Sequence, residues 1–155
     1  MTSIAVLGTG QICYNASTMP EFEIIDHTAD TAIVAYGDNM EELFINAARG
    51  TMSLVADLEK VEPVVSHVIT AEAANQEELL VAWINELLYL FDAEELIFSR
   101  FVIDFVGTDH VKATGYGEKV DASRHDLRTQ VKAATYHELE INATDGYRAH
   151  IILDV

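Results

Sequence analysis

The sequence predicts a single α+β domain in which a mostly antiparallel or mixed β-sheet is covered by two main amphipathic helices. Half of the 155 residues are hydrophobic, which is enough for one substantial core but too little chain for two ordinary domains. Two segments have helical periodicity, and runs of β-forming residues precede, separate and follow them. A doubly wound fold would instead alternate helices and strands throughout.

The domain is predicted to begin with two short strands. Phe22–Ile25 and Thr31–Tyr36 are rich in β-forming residues, and the polar segment Asp26–Asp30 separates them. Strand, polar turn and strand is therefore the expected order.

Two helices are predicted from their caps and apolar spacing. Asp38 and Asn39 can cap a first helix that runs to about Val55, and Asn75 can cap a second. Acidic residues occupy the first turn of both, where they suit the helix dipole. The apolar stripe of the second helix consists of Leu80, Trp83, Ile84, Leu87, Leu88 and Phe91. This i, i+3, i+4, i+7 spacing is typical of a face buried in the core.

The remaining segments are predicted to be strands joined by short turns. Pro63 precedes one β-branched run, Val64–Ala73. The runs after the second helix are Ile97–Val106, His110–Glu118, Gln130–Ala143 and Tyr147–Asp154. Gly-containing turns at residues 107–109 and 144–146 imply antiparallel neighbours. Asp121–Arg128 has no apolar period and is expected to be a surface loop or an irregular turn. Gly115 and Gly117 within a strand favour a β-bulge over a phosphate-binding loop.

The first 18 residues differ from the rest and are predicted to be an N-terminal extension, with the domain spanning residues 19–155. The extension is interpreted either as disordered or as the result of a start upstream of Met19. Its fragment Val6-Leu7-Gly8-Thr9-Gly10 lacks the third glycine of a dinucleotide-binding loop, and no amphipathic helix follows. We therefore do not expect a dinucleotide site.

The charge balance opposes direct nucleic-acid binding. Nine lysines and arginines stand against 26 aspartates and glutamates, which gives a net charge of −17. Nucleic acids are polyanions that bind through Lys and Arg, and no basic run is present. An acidic surface suits hard cations or basic protein partners, and solubility alone is the simpler alternative.

The cellular setting is predicted to be the cytoplasm. Cys13 is the single cysteine, so neither an intramolecular disulfide nor a two-thiol zinc or redox motif can form. No apolar run is long enough for a membrane span, and no basic segment precedes an apolar one at the start.

The densest polar cluster is Asp26, His27 and Asp30, at a strand end. Carboxylate and carbonyl oxygens there favour Ca²⁺ or Mg²⁺, although an ordinary turn with local hydrogen bonds is the simpler explanation of the spacing. Asp154 ends an apolar strand, where it is either a frayed chain end or a carboxylate with a partner. If the last strand lies beside the first, Asp154 and an oxygen of Val155 meet Asp30.

No catalytic constellation is evident. In the predicted strand around His137, period two places Lys132 and Glu138 on one face. Together with His137 they form a candidate acid-base trio, although a cross-strand ion pair is the simpler interpretation. No nucleophile, base and orienting group occur together. The six histidines are dispersed without zinc spacing. A metal-dependent hydrolase using Asp30 and Asp154 stays an alternative that requires a base nearby.

Several segments together resemble the archease family over about Met19–Val155. The matching segments are His27-Thr28-Ala29-Asp30, residues 78–92 of the second helix, Lys132–His137 and the ending Ile152-Leu153-Asp154-Val155. Their collinear order makes the resemblance more specific than any single motif.

The resemblance implies a protein cofactor without catalytic activity of its own, which promotes guanylylation and turnover of a tRNA-splicing RNA ligase. It also implies a chaperone-like modulator of RNA-modifying enzymes, such as a methyltransferase, as an alternative. The family's divalent-metal site, with Ca²⁺ preferred, would fall on Asp30, Asp154 and a main-chain oxygen of Val155. Candidates to face the partner are His27, Lys132, His137 and Glu138.

Overall fold

The computed structural model describes residues 21–26 and 30–155, so the predictions for residues 1–18 and for His27 lie outside the described residues. The strands are β1 Phe22–Asp26, β2 Thr31–Gly37, β3 Val65–Glu72, β4 Leu96–Val106, β5 His110–Lys119, β6 Ala133–Ala134, β7 Glu140–Asn142 and β8 Tyr147–Asp154. The helices are α1 Met40–Val55, α2 Gln76–Glu94 and the short α3 Ala122–His125, with a 3-10 turn at Leu58–Lys60. The predicted α+β class is confirmed.

The strands form two sheets rather than the single sheet expected from the sequence. One sheet has the order β1-β2-β8-β6, with β7 also paired to β8, and the other has the order β3-β5-β4. All pairs in the described part of the chain are antiparallel. The last strand lies beside the second strand and not beside the first, which was the pairing stated as the condition for Asp154 to meet Asp30.

Both main helices begin where their capping residues predict. The side chain of Asn39 accepts a hydrogen bond from the Glu42 amide at 2.8 Å, and Asn75 does the same for Glu78 at 2.9 Å. These bonds satisfy amides that have no partner within the helix. In the described part of the chain, no helix combines the length and apolar content that crossing a membrane requires.

Both helices pack against both sheets, and their apolar faces share one core. Five of the six residues of the predicted stripe on α2 are buried, and Phe91 packs partly buried against them. Trp83 lies between Phe44 of α1 and Phe101 of β4, with ring centroids 6.3 and 5.9 Å away. Its indole N–H donates to the Phe44 carbonyl at 3.0 Å. Trp83 therefore joins three elements at the centre of the domain.

The β-bulges lie in β4 and not at the glycines of β5. The register between the two strands shifts after Phe98 and again after Ile103. Gly117 is required because a Cβ there would lie 1.8 Å from the Ile97 carbonyl oxygen across the ladder. The glycines thus admit close approach of β4 and its aromatic side chains, while the neighbouring strand contains the bulges.

Two further expectations were wrong. The predicted strand Gln130–Ala143 consists of the short strands β6 and β7 with a turn between them. The predicted loop Asp121–Arg128 contains α3, whose His125 is completely buried. In both places tertiary hydrogen bonds, described below, determine the local structure and leave no periodic pattern in the sequence.

Candidate metal site at the end of the last strand

Asp30 and Asp154 come together because of the register between β2 and β8. Thr31 pairs with Leu153, so the residue before β2 lies beside the residue that ends β8. Both aspartates line one pocket of about 280 Å³, together with Thr135, His137 and Ile152. The sequence-distant carboxylates predicted to meet therefore share one cavity.

The segment around β6 forms another wall of this pocket. Ala133 pairs with Asp154, and the Lys132 amide donates to the Asp154 carbonyl at 2.8 Å. The Thr135 amide and hydroxyl both donate to the Ile152 carbonyl, at 2.9 and 3.1 Å. These bonds hold the chain beside the end of β8, so Thr135 and His137 line the pocket together with the two aspartates.

A turn follows, and it separates the polar residues that were predicted to share a strand face. Glu138 has a φ of 53°, and its carbonyl accepts a hydrogen bond from Nδ1 of His150 at 3.2 Å. The Glu138 carboxylate pairs with Nε2 of the neighbouring His137 at 3.0 Å. The predicted cross-strand pair of Glu138 with Lys132 is therefore replaced by a local pair within the turn. Both members of that local pair are exposed, so it contributes little to stability.

The side chain of Asn85 on α2 fixes β6 in place. Its Oδ1 accepts from the Ala134 amide at 2.7 Å, and its Nδ2 donates to the Ala134 carbonyl at 3.3 Å. The Asn85 side chain thus makes the two hydrogen bonds that a neighbouring strand would otherwise make at this edge of β6. This contact joins the helix to the wall of the pocket.

We expect Asn85→Leu to lower the free energy of unfolding by about 1–3 kcal/mol, because the amide and carbonyl of Ala134 lose their partner where water has limited access. It should also loosen the pocket wall and increase hydrogen exchange at Thr135 and His137. Urea denaturation and exchange mass spectrometry measure these effects. Glu86→Leu, at the neighbouring half-buried position, is the control. Equal exchange in both variants would contradict the role of Asn85.

The pocket offers donors that suit a hard cation but only part of a complete coordination shell. Two carboxylates and a hydroxyl are ligands that Ca²⁺ and Mg²⁺ accept, with main-chain oxygens and water completing their shells. Among the described residues, no three His, Cys, Asp or Glu side chains are grouped so as to hold a metal. Val155 packs its side chain against the core and does not line the pocket. Its role as a main-chain ligand stays a prediction.

Sequence reasoning missed a polar cluster around the buried His125, away from the pocket. Nδ1 of His125 accepts from the Asp121 amide at 2.9 Å, which leaves its Nε2–H to donate to Glu118 at 2.9 Å. The Glu62 amide donates to the same carboxylate at 2.8 Å, and Arg124 pairs with it. The Glu62 amide first, then His125 and Arg124, hold the pKa of Glu118 at about 2. This cluster attaches α3 to β5 and is structural.

The fold and the pocket together define a class of protein: a small acidic α+β domain with two carboxylates at one sheet end. Comparison with known proteins identifies the family. The model of the Archease protein family matches residues 22–155. Protein archease of Methanosarcina barkeri is 37% identical over 140 residues, covering 87% of this chain and 96% of its own length. Protein archease of Sulfolobus acidocaldarius is 38% identical over 139 residues, covering 88% and 100%.

Solved structures agree with this assignment. The solution structure of Methanobacterium thermoautotrophicum protein 1598 has a TM-score of 0.73 and 34% identity, covering 88% of this chain and all of that one. The crystal structure of a Thermotoga maritima protein, described as an archease and possible chaperone, has a TM-score of 0.60 and 21% identity, covering 92% and 100%. The latter supports the fold alone. The chain belongs to the archease family.

Proposed function

We propose that this chain is an accessory protein that promotes guanylylation and multiple turnover of a tRNA-splicing RNA ligase and binds a divalent cation, preferably Ca²⁺. The observation that supports this proposal most is that Asp30 and Asp154 line one pocket although they lie near opposite ends of the domain's amino-acid sequence. Both belong to the segments that resemble the family's motifs.

In this proposal Asp30 and Asp154 hold the cation, and Val155 adds a main-chain oxygen. The positive charge of a bound cation would stabilise the folded state, in which the start of β2 and the end of β8 lie together. The exposed side chains of Lys132, His137 and Glu138 surround this end of the sheet and contact the ligase. A net charge of −17 steers the chain toward a basic protein surface and away from RNA itself.

The test is a guanylylation assay with the cognate ligase and substoichiometric amounts of the full chain. We expect wild type to accelerate ligase guanylylation and to restore multiple turnover, and the double variant Asp30→Asn and Asp154→Asn to lose at least tenfold of this stimulation. Asp145→Asn, an exposed turn position with a φ of 54° that Asn adopts readily, is the control. Absence of stimulation by wild type with an active ligase would refute the proposal.

Cation binding has its own readout. Ca²⁺ should raise the thermal midpoint of wild type and of Asp145→Asn, because a ligand that binds only the folded state stabilises it. The double variant should show no such rise. An equal rise in all three proteins would place the cation elsewhere, even if the ligase assay succeeded.

A second candidate function is a chaperone-like modulator of an RNA-modifying methyltransferase. It rests on the resemblance to the archease family, one member of which, from Thermotoga maritima, is described as a possible chaperone. This function predicts a change in the oligomeric state or site specificity of the methyltransferase, with no effect on ligase guanylylation. Sedimentation of the mixed proteins and mapping of methylated positions separate it from the first proposal.

A further inference from the structure

The sheet formed by β3, β5 and β4 has one face that no described element covers over most of its length. The opposite face packs on α2 through buried residues such as Ile69, Ala113 and Phe101. On the open face, cross-strand register forms three rows of three side chains. The rows are Ser66, Tyr116 and Arg100; Val68, Thr114 and Val102; and Thr70, Lys112 and Phe105. We refer to these nine residues as the open face.

The bulges of β4 create the apolar and cationic parts of the open face. Without the bulge at Asp104, Phe105 would follow Phe101 and Ile103 into the core, since side chains alternate along a strand. The register shift instead pairs Phe105 with Lys112 and leaves it 55% exposed. Val68 at the centre of the face is 57% exposed. Exposed apolar residues on a regular sheet mark an interaction surface more often than scattered ones do.

The charges of the open face are opposite to those of the molecule as a whole. Arg100 and Lys112 lie on it, and within the described part of the chain neither has a carboxylate at ion-pair distance. The guanidinium of Arg100 lies 5.2 Å from the centre of the Tyr116 ring. Each end of the face therefore carries one cation and one aromatic ring.

We propose that the open face binds the same face of a second copy of this chain, around a two-fold axis that runs across the strands above Thr114. This axis exchanges the first and third rows and keeps each strand opposite itself. Arg100 then faces Phe105 of the second copy, and Tyr116 faces its Lys112, so both cations meet aromatic rings. The middle row, with Val68 and Val102, faces itself. Such self-complementarity is what a two-fold interface requires.

Two other occupants fit the face less well. A two-fold axis parallel to the strands would place Lys112 opposite Lys112, which is repulsive. A single-stranded nucleic acid could stack on the aromatic rings, but two cations on a chain of net charge −17 offer little attraction for a phosphate backbone. The two proteins also repel each other over long range, so added salt should strengthen the dimer. Salt would weaken binding to nucleic acid.

The expected association is weak, because nine side chains are fewer than the roughly 20–30 residues per side of a standard interface. Sedimentation velocity over a concentration series of the full chain should reveal a monomer and dimer equilibrium. Raising the salt concentration to roughly 0.5 M should shift it toward dimer, since screening at that ionic strength shortens the reach of like-charge repulsion. This experiment does not depend on the ligase or on a cation.

Variants at Val68 test the two-fold axis. Val68→Asp should weaken association at least tenfold, because two carboxylates would face each other. Val65→Asp is the control, since Val65 lies on the same strand with a comparable 42% exposure but belongs to the opposite face. Val68→Lys alone should also fail to dimerise. An equimolar mixture of Val68→Asp and Val68→Lys should recover the dimer as a heterodimer.

Three results of these association experiments would overturn the inference. They are a wild type that stays monomeric at all concentrations and salt conditions, a dimer that survives Val68→Asp, and a mixture of the two charged variants that remains monomeric. Salt-sensitive binding of a single-stranded oligonucleotide that Val68→Asp abolishes would also overturn it, by assigning the face to nucleic acid. Circular dichroism of each variant establishes that the fold is retained.

Discussion

Trp83→Ala is expected to lower the free energy of unfolding by about 3–5 kcal/mol, among the largest effects of any single substitution in this chain. Trp83 is fully buried and lies between α1, α2 and β4. Removing the ring leaves a cavity that Phe44 and Phe101 border from different elements. The surrounding backbone is held by helix and sheet hydrogen bonds, so it can collapse into the cavity only partly.

The contribution of the indole N–H can be separated from that of the ring. Trp83→Phe retains most of the apolar volume but removes the donor to the Phe44 carbonyl, so we expect an intermediate loss. Tyr89→Ala on the same helix is the control. Because Tyr89 is exposed, this substitution should change the free energy of unfolding by no more than about 0.5 kcal/mol. Urea denaturation measures all three variants. A loss for Trp83→Ala no larger than that for Tyr89→Ala would contradict the assigned core.

The sequence predicted those elements whose signals are local. Asn39 and Asn75 cap their helices through bonds to residues three positions later, and the apolar stripe of α2 requires only helical periodicity. The predicted strand Gln130–Ala143 was wrong because a turn at Glu138 divides it. The short strand before that turn is bonded to Asn85, 49 residues from Ala134 along the chain. No pattern within residues 130–143 records the helix side chain that satisfies β6.

The candidate site was predictable in part for the same reason. Asp30 and Asp154 were expected to meet because family motifs lie at both ends of the sequence. The strand considered as the neighbour of β8 was β1, whereas β8 pairs with β2. Thr135 was not expected to line the pocket, because in a continuous strand its side chain would lie on the face opposite to that of Lys132 and Glu138. No sequence pattern predicted the burial of His125, because that burial depends on contacts with Glu118 and with the turn that contains Leu58.

The stability of the domain in acid is expected to depend strongly on Glu118. Its pKa is lowered from 4.5 to about 2, first by the Glu62 amide and then by His125 and Arg124. A carboxylate whose pKa is depressed in the folded state stabilises that state above its unfolded pKa. This stabilisation is therefore complete above about pH 4.5 and is lost progressively as the pH falls toward 2. Glu118→Gln should cost about 2–3 kcal/mol at neutral pH, because charge-assisted hydrogen bonds are lost in a nearly buried place.

The difference in unfolding free energy between wild type and Glu118→Gln should then shrink as the pH falls below about 4.5, since wild type loses the charge that the variant already lacks. Chemical denaturation at a series of pH values from about 7 to about 3 measures this difference directly. Glu138→Gln is the matched control, because its carboxylate pairs with His137 in an exposed turn and should contribute within about 0.5 kcal/mol. A difference for Glu118→Gln that stays constant with pH would mean that packing, and not the ionised carboxylate, attaches α3 to β5.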